Sequence, residues 1–464
     1  MEKIEWEDVQ RIVLSGFKHL PYSAYVLCRF RPEERAQKKK WLADLAKRLT
    51  PVLPDPERKT HCAINLALTA SGLQHLGIGE PALNSFSMEF LEGMAPPHAP
   101  GAPIPRRTNI LGDLEASSPE FWDWGGWDEK ANHVDVLLLL FVADETSLDQ
   151  LIESEMDAIH GVADGDPIVL KGHLFPDTKE HFGYVDGLSQ PKIEGRPKKK
   201  NKAPEKGTSG IRPGSEVKPG EFLLGYLNER RARITTRHGR DIRRNGTYLV
   251  FRQLEQDVPA FNAFLSDVAK NLGETEDWVA ARLLGRWRDG VPLVPERAVA
   301  NVGCSKNDFL YYYEDRAGLT CPIGAHIRRA NPRDSLIPDP VTALHLSKMH
   351  RIIRRGRPYG QRWKPNDQER LGEKAERGML FIALNADIAG QFELIQHSWL
   401  NNPRFNGLYA GTDLISHFSG GESITIQSRP ANLHIPRPAP FVRVRGGAYF
   451  FLPGIRALHD IAAS

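Results

Sequence analysis

The hydrophobic pattern of the chain consists of short apolar runs, each stopped by glycine, proline or charge. Residues 24–30 (Ala-Tyr-Val-Leu-Cys-Arg-Phe), 61–69 and 134–143 are such runs, and short length with flanking breakers favours strands over buried helices. The charged stretch 33–49 and residues 146–159 predict helices, and residues 72–76 a shorter one. A similar order returns downstream. Residues 221–227, 247–252 and 379–384 predict strands, and residues 388–399 predict a helix. Residues 258–272 predict an amphipathic helix, with apolar positions three and four apart. Strands and helices mixed in both halves predict two α+β domains of similar plan, each a sheet with covering helices.

Two irregular stretches interrupt this pattern. Residues 95–128 form a Pro/Gly-rich insertion, and residues 196–216 hold the basic run Lys198-Lys199-Lys200-Asn201-Lys202. The basic run reads as a solvated linker, with a patch for an anionic partner as the competing reading. Placing the boundary there gives domains 1–205 and 206–464.

Composition narrows the function classes. With 61 Lys plus Arg against 58 Asp plus Glu, the net charge of +3 argues for no nucleic acid and no anionic membrane surface. The first residues are acidic where a signal peptide is basic, and the longest apolar run, 136–143, is far below the ~20 residues of a membrane helix. A cytoplasmic location is therefore expected. Cys28, Cys62, Cys304 and Cys321 include no C-x-x-C pair, so neither a disulfide framework nor a structural zinc site is indicated.

Three segments have the residue types of a reactive site. The first is Cys321-Pro322-Ile323-Gly324-Ala325-His326-Ile327-Arg328-Arg329-Ala330-Asn331-Pro332-Arg333. Small residues before His326 permit close approach of a bulky planar group, and Arg328 and Arg333 suit carboxylates. A basic loop holding internal salt bridges has the same composition. The second, Phe182-Gly183-Tyr184-Val185-Asp186-Gly187-Leu188-Ser189-Gln190-Pro191, brackets an aspartate with Gly183 and Gly187. Such glycines allow close backbone approach to a ligand, or simply a turn. In the third, Ile352-Ile353-Arg354-Arg355-Gly356-Arg357-Pro358-Tyr359-Gly360, Arg354 follows two apolar residues, as an inward-facing guanidinium or an exposed basic turn does.

Together these segments resemble the dye-decolorizing peroxidase family, in its extended fungal and large bacterial branch. The family's G-x-x-D-G with a following S-Q-P is matched by Gly183, Asp186, Gly187, Ser189, Gln190 and Pro191. Its C-P-x-x-A-H-I-R-x-x-N-P-R is matched from Cys321 to Arg333, and its R-x-G-x-P-Y-G from Arg354 to Gly360. Gly220-Glu221-Phe222, Gly285-Arg286-Trp287 and Asn307-Asp308-Phe309 are similar as well. The likeness spans nearly the whole chain and is densest over residues 181–400.

The resemblance implies two ferredoxin-like domains, each with an antiparallel sheet, and haem b (iron protoporphyrin IX) between the sheet and helices of the C-terminal one. It implies His326 as proximal iron ligand, with Asp387, or less readily Glu393, as its carboxylate partner. Asp186 and Arg354 become the groups that act on hydrogen peroxide, and Arg328 and Arg333 candidates for haem propionates. An organic reductant is the second substrate, and Tyr359 and Trp399 are candidate surface sites for passing electrons. A haem-binding or haem-handling protein with incidental peroxidase activity is the alternative. The physiological reductant and oligomeric state stay open.

Overall fold

The computed structural model of the chain describes residues 2–52, 61–127, 133–197, 216–233, 241–294, 307, 309–364, 376–416 and 423–464. The run Lys198–Lys202, Cys304 and Asp308 lie outside these residues, as does most of the expected linker.

In the first half, β1 (Tyr22–Cys28), β2 (Cys62–Leu68), β3 (Val136–Val142) and β4 (Ile168–His173) pair in the order β4-β1-β3-β2, every pair antiparallel. Helix Arg35–Ala46 follows β1 and helix Glu145–His160 follows β3. This is a β-α-β-β-α-β unit with the ferredoxin-like strand order. A parallel two-residue ladder of β5 (Lys192–Ile193) and β6 (Glu216–Val217) comes next.

The second half repeats the plan. After β7 (Thr247–Gln256) come helices Val258–Leu272 and Glu276–Leu284 and the short strands β8 (Ile353–Arg354) and β9 (Arg357–Tyr359). Then follow β10 (Gly378–Asn385), a hairpin of β11 (Ser423–Ile426) and β12 (Leu433–Pro436), and β13 (Val442–Leu452). The order β13-β7-β10-β8 is again ferredoxin-like, and the pairing of Leu68 with Phe451 joins the two halves into one sheet.

Both faces of this sheet are covered, which explains the unbroken apolar sequence of β3. Val136, Leu138, Leu140 and Val142 enter one hydrophobic cluster, and Leu137, Leu139 and Phe141 enter the other. Helix termini follow local chemistry. Asp144 accepts from the Ser147 amide, Asp257 accepts from the Ala260 amide, and Gly273 ends its helix at φ 67°. Helix Ile455–Ala463 packs back on helix Arg35–Ala46 of the first half. Among the described residues, no helix is long and apolar enough to cross a membrane.

Two expected elements differ. Residues 221–227 form a turn rather than a strand. Gly225 sits at φ 91°, and a Cβ on Gly220 would lie 2.4 Å from backbone atoms of residues 226 and 227, so the chain folds back on itself there. The helix expected at residues 388–399 is present but wound wide. The Glu393 amide donates to the Ile388 carbonyl and the Asn401 amide to Gln396, five residues back, which is π geometry.

Candidate active site

Asp186 and Arg354 come from segments 168 residues apart and meet by folding. Asp186 lies on the loop after β4, where Gly183 and Gly187 adopt φ of 90° and 76°, conformations that side-chain-bearing residues rarely take. Arg354 is held in register by β8, where it pairs with Ala383 of β10, and its amide donates to Gln190 Oε1 at 3.0 Å. Arg354 Nη1 donates to Asp186 Oδ1 at 2.9 Å. Burial works against ionisation of Asp186, but Arg354, the Gly187 amide and Lys18 outweigh it and hold this carboxyl below its ordinary range.

His326 opens a short helix, His326–Ala330, directly after Cys321-Pro322-Ile323-Gly324-Ala325. Its Nδ1 lies 3.0 Å from Asp413 Oδ2. A carboxylate accepts only, so Nδ1 carries a proton, and in the neutral ring Nε2 is the nitrogen with the free lone pair. The other oxygen, Asp413 Oδ1, accepts from the amides of Ile415 and Ser416 and from the Ser416 hydroxyl. Burial opposes the charge on Asp413, but His326 and Ser416 together pull its carboxyl well below the usual range. An imidazole oriented and enriched this way is how proteins prepare histidine for a metal.

All three side chains line one cavity of about 270 Å³. Its walls are largely apolar, with Val185, Leu188, Leu254, Phe381, Phe392 and Ile395 among them. Three further arginines line it: Arg252, which is paired with Asp113, and Arg286 and Arg351. Arg351 donates to the Ser189 carbonyl and, among the described residues, pairs with no carboxylate; burial and the charges of Arg333 and Arg354 push it down to about 9. Burial and the same two neighbours' charges push Arg286 down to about 10. A mostly apolar slot with a primed imidazole and crowded guanidiniums fits a planar group bearing both a metal and carboxylates. Haem is such a group.

Several expected positions fall elsewhere. Asp387 accepts from the Gly390 amide and shapes the start of the wide helix. Glu393 accepts from Arg107 and from the Tyr449 hydroxyl. The partner of His326 is thus Asp413, in place of either. Arg328 is fully buried, bound to Asp315 and the Cys321 carbonyl, and does not line the cavity. Arg333, at φ 56°, donates to the carbonyls of Asn307 and Phe309 and is likewise off the wall. Gly183 is also off it. A Cβ there would lie 2.3 Å from an Arg288 nitrogen, so this glycine makes room for a neighbouring side chain. Gly187 does line the cavity. Tyr359 and Trp399 are not surface residues, each being 8% exposed. Trp399 stands edge-on to the His350 ring at 5.3 Å, and His350 lines the cavity.

No protein-family model matches the chain. It is 30% identical to a dye-decolorizing peroxidase of Exidia glandulosa over 422 residues, which cover 85% of this chain and 75% of that protein. Against the multifunctional dye peroxidase of an Amycolatopsis strain it is 30% identical over 419 residues, covering 86% and 82%. Among solved structures, a fungal DyP-type peroxidase from Auricularia auricula-judae superposes with a TM-score of 0.77 at 25% identity, over the whole of both chains.

Proposed function

The chain belongs to the dye-decolorizing peroxidase family, and from that membership we propose a haem peroxidase that uses Asp186 and Arg354 on hydrogen peroxide and oxidises bulky organic reductants such as dyes and phenolics. The observation that supports this most is the opening of His326, Asp186 and Arg354 onto one apolar cavity.

His326 would hold the iron through Nε2, and Arg351 and Arg286 would take the charge of the two propionates of haem b. When bound, haem supplies the redox chemistry, taking two oxidising equivalents from peroxide and releasing them to the reductant one electron at a time. The protein's own task is proton movement and charge. As a carboxylate, Asp186 takes a proton from one peroxide oxygen and returns it to the other, which departs as water with the electron pair of the O–O bond. Arg354 offsets the negative charge that grows on the departing oxygen. The apolar wall keeps competing water out. A protein that only carries haem has no need of the Asp186–Arg354 pair, which weighs against the haem-handling alternative.

Because Asp186 is held below its ordinary range, it stays a base into acid solution, and peroxide reactivity is expected to persist there. Reactivity falls only as pH drops through that lowered value and the base is protonated. The test is the pH profile of kcat/KM for hydrogen peroxide. Asp186→Asn should abolish the acidic activity; an optimum near neutrality that survives this substitution removes Asp186 from the mechanism.

Trp399, through its edge contact with His350, is the better placed of the two candidate relay aromatics. Trp399→Phe should lower turnover of a bulky dye and leave the reaction with peroxide unchanged.

A further inference from the structure

A second carboxylate faces the same cavity. Glu180 stands six positions before Asp186 on the same loop. Its Oε2 accepts from the Phe182 amide and from Gln256 Nε2, both at 2.9 Å, and its Oε1 accepts from the Tyr184 amide at 3.0 Å. The Glu180 amide donates to the Tyr184 carbonyl and the Gly183 amide donates to the Glu180 carbonyl, each at 2.9 Å. One side chain therefore gathers two of the three amides of the turn that leads into Asp186. Gln256, the last residue of β7, ties that turn to the sheet. Arg288 grips the turn from another side, with Nη1 donating to the Phe182 carbonyl at 2.5 Å. Burial and the charge of Asp186 push the Glu180 carboxyl up, and its three N–H donors oppose that rise.

We propose that Glu180 is a positioning residue for peroxide activation, its carboxylate bracing the Phe182–Tyr184 turn so that Asp186 is aimed at Arg354 and into the cavity. The inference rests on the peroxidase reading above. Charge-assisted acceptance of three donors is strong, and an amide in its place offers one oxygen and turns an NH2 group toward an N–H. The turn then loosens and Asp186 loses part of its contact with Arg354 and the Gly187 amide.

The test compares haem-loaded wild type, Glu180→Gln and Gln256→Leu at equal haem content. Glu180→Gln should lower kcat/KM for hydrogen peroxide about tenfold or more and leave KM for the reductant unchanged. Gln256→Leu should lower it to a smaller degree and, because it removes no charge beside Asp186, move the acid limb of the peroxide profile upward, and the double variant should be no worse than Glu180→Gln alone. Unchanged peroxide kinetics in both single variants would overturn the proposal, as would a lowered thermal midpoint of Gln256→Leu with an unmoved acid limb. A wild type without Asp186-dependent peroxide activity would instead sink the peroxidase reading itself.

Discussion

At the scale of single residues, Asp413 and Arg354 offer the sharpest tests. Removing the carboxylate that orients a metal-bound imidazole typically costs about 10–100-fold in metal affinity or activity. Asp413→Asn is therefore expected to weaken haem binding by about that factor, measured by titrating apoprotein with haemin and following the Soret band; wild-type affinity would contradict the assignment. Losing one charge donor at a developing anion costs about 10²–10³ in rate. Arg354→Leu should slow the reaction with peroxide by that much in stopped-flow measurements. His326, Asp186 and Arg354 stand out in the sequence because each sits in a dense motif, and the fold brings the three to one cavity. Asp413 does not stand out, because it lies 87 residues from His326 in Thr412-Asp413-Leu414-Ile415-Ser416. An aspartate three residues before a serine signals only a local turn. Asp387 stands where the resemblance to the family implies the carboxylate, and here it accepts from the Gly390 amide at the start of the next helix. Arg351 carries no signal in the sequence, because nothing along the chain marks a guanidinium that, among the described residues, pairs with no carboxylate.

At the scale of elements, local rules predicted most strands and helices, and the departures cluster around the site. Strands β1, β2 and β3 and helices Glu145–His160 and Val258–Leu272 appear within about two residues of their expected limits, because periodicity and capping agree there, whereas β4 has no counterpart among the expected strands. Residues 221–227 look like a strand by apolar content, but two glycines permit a reversal that tertiary packing prefers. The π winding of residues 389–400 leaves no mark on apolar spacing. It matters all the same, since that helix supplies Phe392, Ile395 and Gln396 to the cavity wall. The Asp186 loop depends on backbone that only glycine adopts easily. Gly183→Ala combines positive φ with a clash against Arg288 and should lower both the thermal midpoint and peroxide reactivity. Asp144→Ala, a cap loss worth about 1 kcal/mol on a helix remote from the cavity, should lower stability alone. Equal effects of the two on peroxide kinetics would contradict the role given to the loop.

At the scale of the whole molecule, two ferredoxin-like sheets share an edge and one cavity gathers side chains from both halves of the chain. Asp135, buried between His75 and His133, and Asp413, beside His326, are both held below the ordinary aspartate range. Each contributes stability that is fully present above the unfolded-state value of about 3.9 and is lost as pH falls below it. Thermal midpoints should therefore fall steeply below about pH 4. A ligand held at a hundred times its Kd stabilises the fold by about 2.7 kcal/mol, so haem-loaded protein should melt several degrees above apoprotein. The most direct test of the central claim is the visible spectrum of protein supplied with one equivalent of haemin, recorded before and after one equivalent of hydrogen peroxide. Wild type should develop a Soret band that shifts promptly on adding peroxide, His326→Ala should fail to form the same band, and Asp186→Asn should form it but respond far more slowly. A wild type that stays without a Soret band, or three proteins with identical responses, would contradict the account.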